Sequence, residues 1–245
     1  MDRASHLWYD IFHNATNTTK ILNVIVGRRE ITCRLSKLSK TDVQKEFNLA
    51  IEAGKLYQCQ WISDYYNFTP DDAKSNNNEA LRLAAKHGNL ALCQWLTHHF
   101  GLTSNDAKSN YNGPLHLSAR YGHLDVCQWL TQHFELTMED VNSAQALHEA
   151  ITQGHLNVCQ WLIQHFGLTR NYLNSDFVLN AAVDSGNLAL CQYLADQFGL
   201  TPEDARVRDN VALHNAACNG NLELCQWLTN YFSLTTQDFK ERGQL

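Results

Sequence analysis

Apolar side chains return at helical spacing along most of the chain, and they do so in paired segments. In Leu124 to Phe134 the positions Leu124, Val126, Cys127, Leu130 and Phe134 fall near one face, with Trp129 broadening it, so the spacing predicts a helix. The segment before it, Pro114 to Tyr121, has a proline suited to a first helical turn and apolar or small residues at Leu115, Leu117, Ser118 and Ala119, which predicts a shorter helix. Gly122 separates the two and can take the left-handed, helix-ending conformation without steric cost. The same order recurs around Gly54, Gly88, Gly154, Gly186 and Gly220, with second helices expected near 56–67, 90–100, 124–134, 156–166, 188–198 and 222–232.

Each second helix is followed by a connector that signals a further helix start. A threonine stands three residues before an acid at Thr69/Asp72, Thr103/Asp106, Thr137/Asp140, Thr201/Asp204 and Thr235/Asp238. The hydroxyl can accept from a free backbone amide while the acid favours the positive end of the helix. Pro70 and Pro202 strengthen the signal, and Thr169, followed by Tyr172, is the exception. Inside the second helices Cys59, Cys93, Cys127, Cys159, Cys191 and Cys225 recur in steps of 34, 34, 32, 32 and 34 residues. A fixed period of this size implies stacked supersecondary units, an all-α solenoid.

The stretch "GPLHLSARYGHLDVCQWL" from Gly113 resembles the ankyrin repeat, following its T-P-L-H-x-A-A-x-x-G-H-L pattern with glycine where threonine is usual. "ALHEAITQGHL" from Ala146 and "ALHNAACNGNL" from Ala212 keep the Leu-His pair. Tetratricopeptide repeats share the period but lack the Gly-His/Asn-Leu turn. The resemblance implies six ankyrin-like repeats over 45–245, closed by the segment "LTTQDFKERGQL". Residues 1–44 read as a degenerate N-terminal capping repeat, in which Ser39 and Asp42 echo the connector signal. The connectors depart from the family, whose hairpin fingers should here be short or absent and replaced by helical turns. This "FGLT" style is similar to ankyrin repeats common in large DNA viruses of protists, which would suit a host-interaction or adaptor role.

By the same resemblance, function belongs to a concave surface, and the two residues before each helix-ending glycine point into it. They are Glu52/Ala53, Lys86/His87, Arg120/Tyr121, Thr152/Gln153, Asp184/Ser185 and Cys218/Asn219. These pairs differ between units while the apolar positions repeat, so the candidate partner-binding set is Lys86, His87, Arg120, Tyr121, Thr152, Gln153, Asp184, Ser185 and Asn219. Arginine and tyrosine are frequent interface anchors. Lys86, His87, Arg120 and Tyr121 form a basic, aromatic patch, so the expected partner is a protein with an acidic segment.

Composition narrows the alternatives. A net charge of −6 over 245 residues gives no chain-wide basic field for nucleic acid. The basic cluster Arg28, Arg29, Arg34, Lys37, Lys40 and Lys45 reads first as a solvated cap face and second as a nucleic-acid patch. No apolar run approaches a membrane span, and the first residues lack a signal-peptide core, so the expectation is an intracellular protein, cytoplasmic first with the nucleus left open. Eight cysteines without one C-x-x-C pair argue against zinc, and the repeated cysteine and tryptophan read as core packing positions. His133 and His165 lie six residues after their cysteines, on another side of the helix. His116, His148 and His214 would, by resemblance, hydrogen-bond within and between units. No G-x-S-x-G, H-E-x-x-H or Walker loop is present, so neither catalysis, a cofactor nor a small-molecule substrate is expected. A thiol- or metal-responsive role through Cys33 and Cys218 is the remaining alternative.

Overall fold

The computed structural model describes residues 39–138, 143–172 and 175–234. Most of the expected N-terminal cap, with Cys33 and four of its six basic residues, lies outside that range. So do Asp140 and the C-terminal closing segment from Thr235. The chain divides into two compact units, Met1–Leu49 and Ala50–Leu245, and the division falls inside helix α1 (Lys40–Glu52). Of the first unit only the leading turns of α1 are described, where the Ser39 hydroxyl donates to Asp42 at 2.7 Å and accepts from the Asp42 amide at 3.3 Å.

In the second unit, α2 (Leu56–Tyr66) leads into a stack of helix pairs. The first helices are α4 (Ser75–Lys86), α7 (Ser109–Arg120), α9 (Ser143–Thr152), α11 (Ser175–Asp184) and α13 (Pro202–Cys218). The second helices are α5 (Leu90–Phe100), α8 (Leu124–His133), α10 (Leu156–Phe166), α12 (Leu188–Phe198) and α14 (Leu222–Tyr231). First helices pack in series, α4 on α7, α7 on α9, α9 on α11 and α11 on α13, and each packs on its own second helix. The core lies between the two rows. Leu92, Cys93, Leu96 and Phe100 of α5 are buried there, and so are Val126, Cys127 and Leu130 of α8, followed by Phe134. The first helices face them with small residues such as Ala84, Ala119 and Ala150.

Three connectors carry a short helical element of their own, and no strand occurs among the described residues. These elements are α3 (Pro70–Ala73), α6 (Ser104–Ala107) and a 3-10 turn at Arg170–Tyr172. Thr69/Asp72, Thr103/Asp106 and Thr201/Asp204 each form a reciprocal capping box. Thr169 has no such acid, and its connector is held differently. The Arg170 guanidinium donates to both Asp204 oxygens, at 2.7 and 2.9 Å, and to the Gly199 carbonyl at 2.9 Å. Between α3 and the right-handed part of α4, Asn76, Asn77 and Asn78 all take left-handed backbone angles. Asn110, Asn112 and Asn210 do so at the corresponding points of α7 and α13. Asparagine tolerates this region better than other residues with a side chain.

The glycine turn does more than stop a helix. Gly122 has φ +80°, and a Cβ there would lie 2.6 Å from Nδ1 of His155 in the next repeat. That close approach lets Nε2 of His155 donate to the Arg120 carbonyl at 3.0 Å, while His123 bonds the Lys86 carbonyl at 3.0 Å. Asn89, Asn187 and Asn221 donate to other carbonyls of the preceding turn, those of Ile51, Gly154 and Gly186. From Gly88 onward, the residue after the turn glycine therefore ties one repeat to the previous one. At the Leu-His position, His214 makes the expected bond within its unit, its Nε2 lying 3.4 Å from the Cys218 sulfur, whereas Nε2 of His116 is buried without a partner.

A correction concerns the tryptophans. Trp61, Trp95, Trp129, Trp161 and Trp227 are half-buried, as is Tyr193, whereas five of the six repeated cysteines are buried and Cys225 is half-buried. Two residues on a helix is a rotation of about 200°, so a side chain two positions after a core cysteine falls on the flank. There Trp95, Trp129 and Trp161 stack on His99, His133 and His165, with centroids 5.0, 4.9 and 5.0 Å apart.

Candidate functional site

Sequence periodicity places Glu79, Arg82, Leu83 and Lys86 along one face of α4, at i, i+3, i+4 and i+7. Leu117, Arg120 and Tyr121 share the corresponding face at the end of α7. Packing of α4 on α7 brings these seven residues around an open cavity of about 280 Å³. Lys86, Arg120 and Tyr121 were expected to share one surface patch, and they line this cavity together; His87 is exposed but outside the lining.

The cavity carries three cations and one acid. The Lys86 ammonium lies 5.7 Å from the centroid of the Tyr121 ring and has no carboxylate partner among the described residues. A cation over a ring face is held by the ring quadrupole without neutralising its charge. Arg82 donates from Nη2 to the Asn76 carbonyl at 2.9 Å and from Nε to Asn77 at 3.1 Å. These carbonyls are exposed to the guanidinium by the left-handed run of asparagines. Arg120 reaches Glu149 on α9 at 3.3 Å, with about half of its side chain exposed, 48%. Glu79 accepts from the Asn76 amide at 3.0 Å.

Farther along the first-helix row the candidates separate. Thr152 and Gln153 are exposed, but the Thr152 hydroxyl donates to the His148 carbonyl at 2.9 Å. Ser185 is half-buried and its hydroxyl donates to Ala182 at 2.6 Å, so it shapes the turn. Asp184 accepts from Asn215 of α13 at 2.8 Å, and Asn219 is exposed at the end of that helix. Next to Asn219 the exposed Cys218 has its Sγ 3.4 Å from Nε2 of His214. Sequence reasoning that took only the two residues before each glycine missed Arg82, Leu83, Leu117 and Glu149. Stepping back one helical turn from Lys86 and Arg120 would have found Arg82, Leu83 and Leu117.

Among the described residues, no group of three or more His, Cys, Asp or Glu is arranged to hold a metal ion. No described helix is long and apolar enough to cross a membrane. Comparison with family models matches the model described as ankyrin repeats, three copies, over residues 47–142, 81–171 and 147–238. No curated protein matches the chain.

Proposed function

The chain belongs to the ankyrin repeat family, and on that premise we propose that it is a non-catalytic interaction module that holds a partner protein on its first-helix row. Ankyrin repeats generally mediate protein–protein interaction, and the family is typically non-catalytic. The observation that carries the finer reading is a contrast within this one chain. Core positions repeat from unit to unit, while the residues before each turn glycine change from Lys86/His87 to Arg120/Tyr121, Thr152/Gln153 and Asp184/Ser185. A stack needs the first set, and a partner explains the second. Excess positive charge around the α4–α7 cavity supports an acidic segment as what the partner presents there.

The test is a cross-linking capture comparing the wild type with Lys86→Ala/Arg120→Ala/Tyr121→Ala after both are shown to melt at the same temperature. The expected outcome is one protein held by the wild type and lost by the variant. Capture of the same set by both would move the binding surface away from these residues. A thiol-responsive reading has one observation in its favour, the contact between exposed Cys218 and His214. It would gain ground if alkylation of Cys218 alone released the captured partner.

A further inference from the structure

We infer that the cavity between α4 and α7 is a specificity pocket for one acidic side chain followed by an aliphatic one, in an extended segment of the partner protein. This rests on the interaction reading above and deepens it. The pocket combines cations with apolar lining: half-buried Leu83 and Leu117 line it together with Lys86, Arg82 and Arg120. A ligand must offer both a negative group and aliphatic carbon to satisfy it. At about 280 Å³ the cavity is just below the range of drug-sized ligand sites, which suits a pair of peptide side chains better than a cofactor.

The donors distinguish a carboxylate from a phosphate. Arg82 already spends two N–H groups on the carbonyls of Asn76 and Asn77, and Arg120 is engaged by Glu149. Arg82 meets only those neutral carbonyls, and Lys86, held above Tyr121, is the cavity cation whose ammonium has neither a carboxylate nor a carbonyl partner among the described residues. A phosphoryl dianion calls for several convergent donors, whereas a single ammonium matches a monoanion. Glu149 then acts as a competitor built into the fold. It holds Arg120 at 3.3 Å, the guanidinium that an incoming carboxylate would share. Removing the Glu149 charge must therefore strengthen binding, an outcome that a purely structural ion pair would not produce.

The experiment uses the full chain with methyl-labelled leucine, the Leu83 and Leu117 signals being assigned from Leu→Ile variants. The probe is an acetylated, amidated peptide with one Glu-Leu pair in a Ser-Gly-Ala background, so that it carries a single carboxylate. The expected result is saturable shifts at both methyl groups, with Gln-Leu peptide binding about tenfold weaker and Lys86→Ala weaker by a similar factor. Glu149→Gln should bind about threefold tighter. Lys86→Gln keeps most of the stem and provides a second variant if the alanine form does not fold. Equal binding of Glu-Leu and Gln-Leu peptides, weaker or unchanged binding by Glu149→Gln, or no saturable shift would each overturn the pocket. Tighter binding of a phosphoserine-Leu peptide would overturn it too, in favour of a phosphate site. If the peptide fails while the triple variant still loses its partner, only the pocket falls. If the triple variant keeps its partner, the interaction reading falls as well.

Discussion

Trp129 illustrates how depth within the stack sets the cost of a side chain. Its indole stacks on His133 at 4.9 Å and meets Phe134 edge-on at 5.8 Å, yet it stays half-buried. Trp129→Ala should cost about 2 kcal/mol by urea denaturation, less than the ~3–5 typical of a fully buried large aromatic. Thr131 is the opposite case, since it is 3% exposed and its hydroxyl has no partner, while Ile163 fills the equivalent place in the next repeat. Thr131→Val removes an unsatisfied donor at nearly constant shape and should raise stability by about 1 kcal/mol. His116 adds a pH dependence. Burial holds its pKa below the ordinary 6.5, against the opposing pull of Glu149. The folded chain thus binds fewer protons than the unfolded one between the two values, so this contribution is complete above 6.5 and shrinks as pH falls. Urea midpoints at about pH 7.5 and about pH 5.5 should therefore differ less in His116→Gln than in the wild type.

At the scale of the element, helix ends carry much of the specification. The second helices α5, α10 and α12 end on Gly101, Gly167 and Gly199 in the left-handed region, but the residue after α8 and Phe134 is Glu135, with φ +49°. Glu135→Gly should relieve that backbone and gain about 0.5–1 kcal/mol in thermal melts. Gly122→Ala should do the reverse and destabilise by more than about 1 kcal/mol, because its φ is +80° and the new Cβ would strike His155. Pairing it with His155→Asn should recover part of the loss, which separates the contact from the backbone strain. At the start of α6, burial pushes the Asp106 carboxyl up. Hydrogen bonds from Thr103 and the Lys74 ammonium outweigh that and hold it below 3.8. Its contribution is present at neutral pH and is lost as the solution is acidified through the folded value.

Over the second unit as a whole, the bonds from Asn89, His123, His155, Asn187 and Asn221 to preceding repeats make stability a property of neighbours. Thiol reactivity reads that coupling. Burial pushes the thiols of Cys59, Cys127, Cys159 and Cys191 up to about 12, and raises Cys93 as well. With Cys33→Ser in place, Cys218 should react first with an aromatic disulfide and Cys225 second. The five buried thiols should then follow in a single phase set by opening of the stack. Several separate phases among them would show repeats opening independently.

Features that depend on residues three or four positions apart were legible from the chain alone. The capping boxes at Thr69, Thr103 and Thr201, the turn glycines and the helical period all act within one or two turns, so spacing suffices to find them. The family pattern around Gly113 to Leu130 rests on the same local order. Contacts between repeats were not legible, because a side chain about 34 residues away becomes a neighbour only once helix packing sets the register. That is why the bond from His155 to Arg120 and the clamp of Arg170 on Asp204 had no signal in the sequence, whereas the shared patch of Lys86 and Tyr121 followed from their matching places before the turn glycines. Burial depth belongs with them: the alternation of Cys127 and Trp129 identifies two positions on one helix, and only the neighbouring helices decide that the first is core and the second is flank.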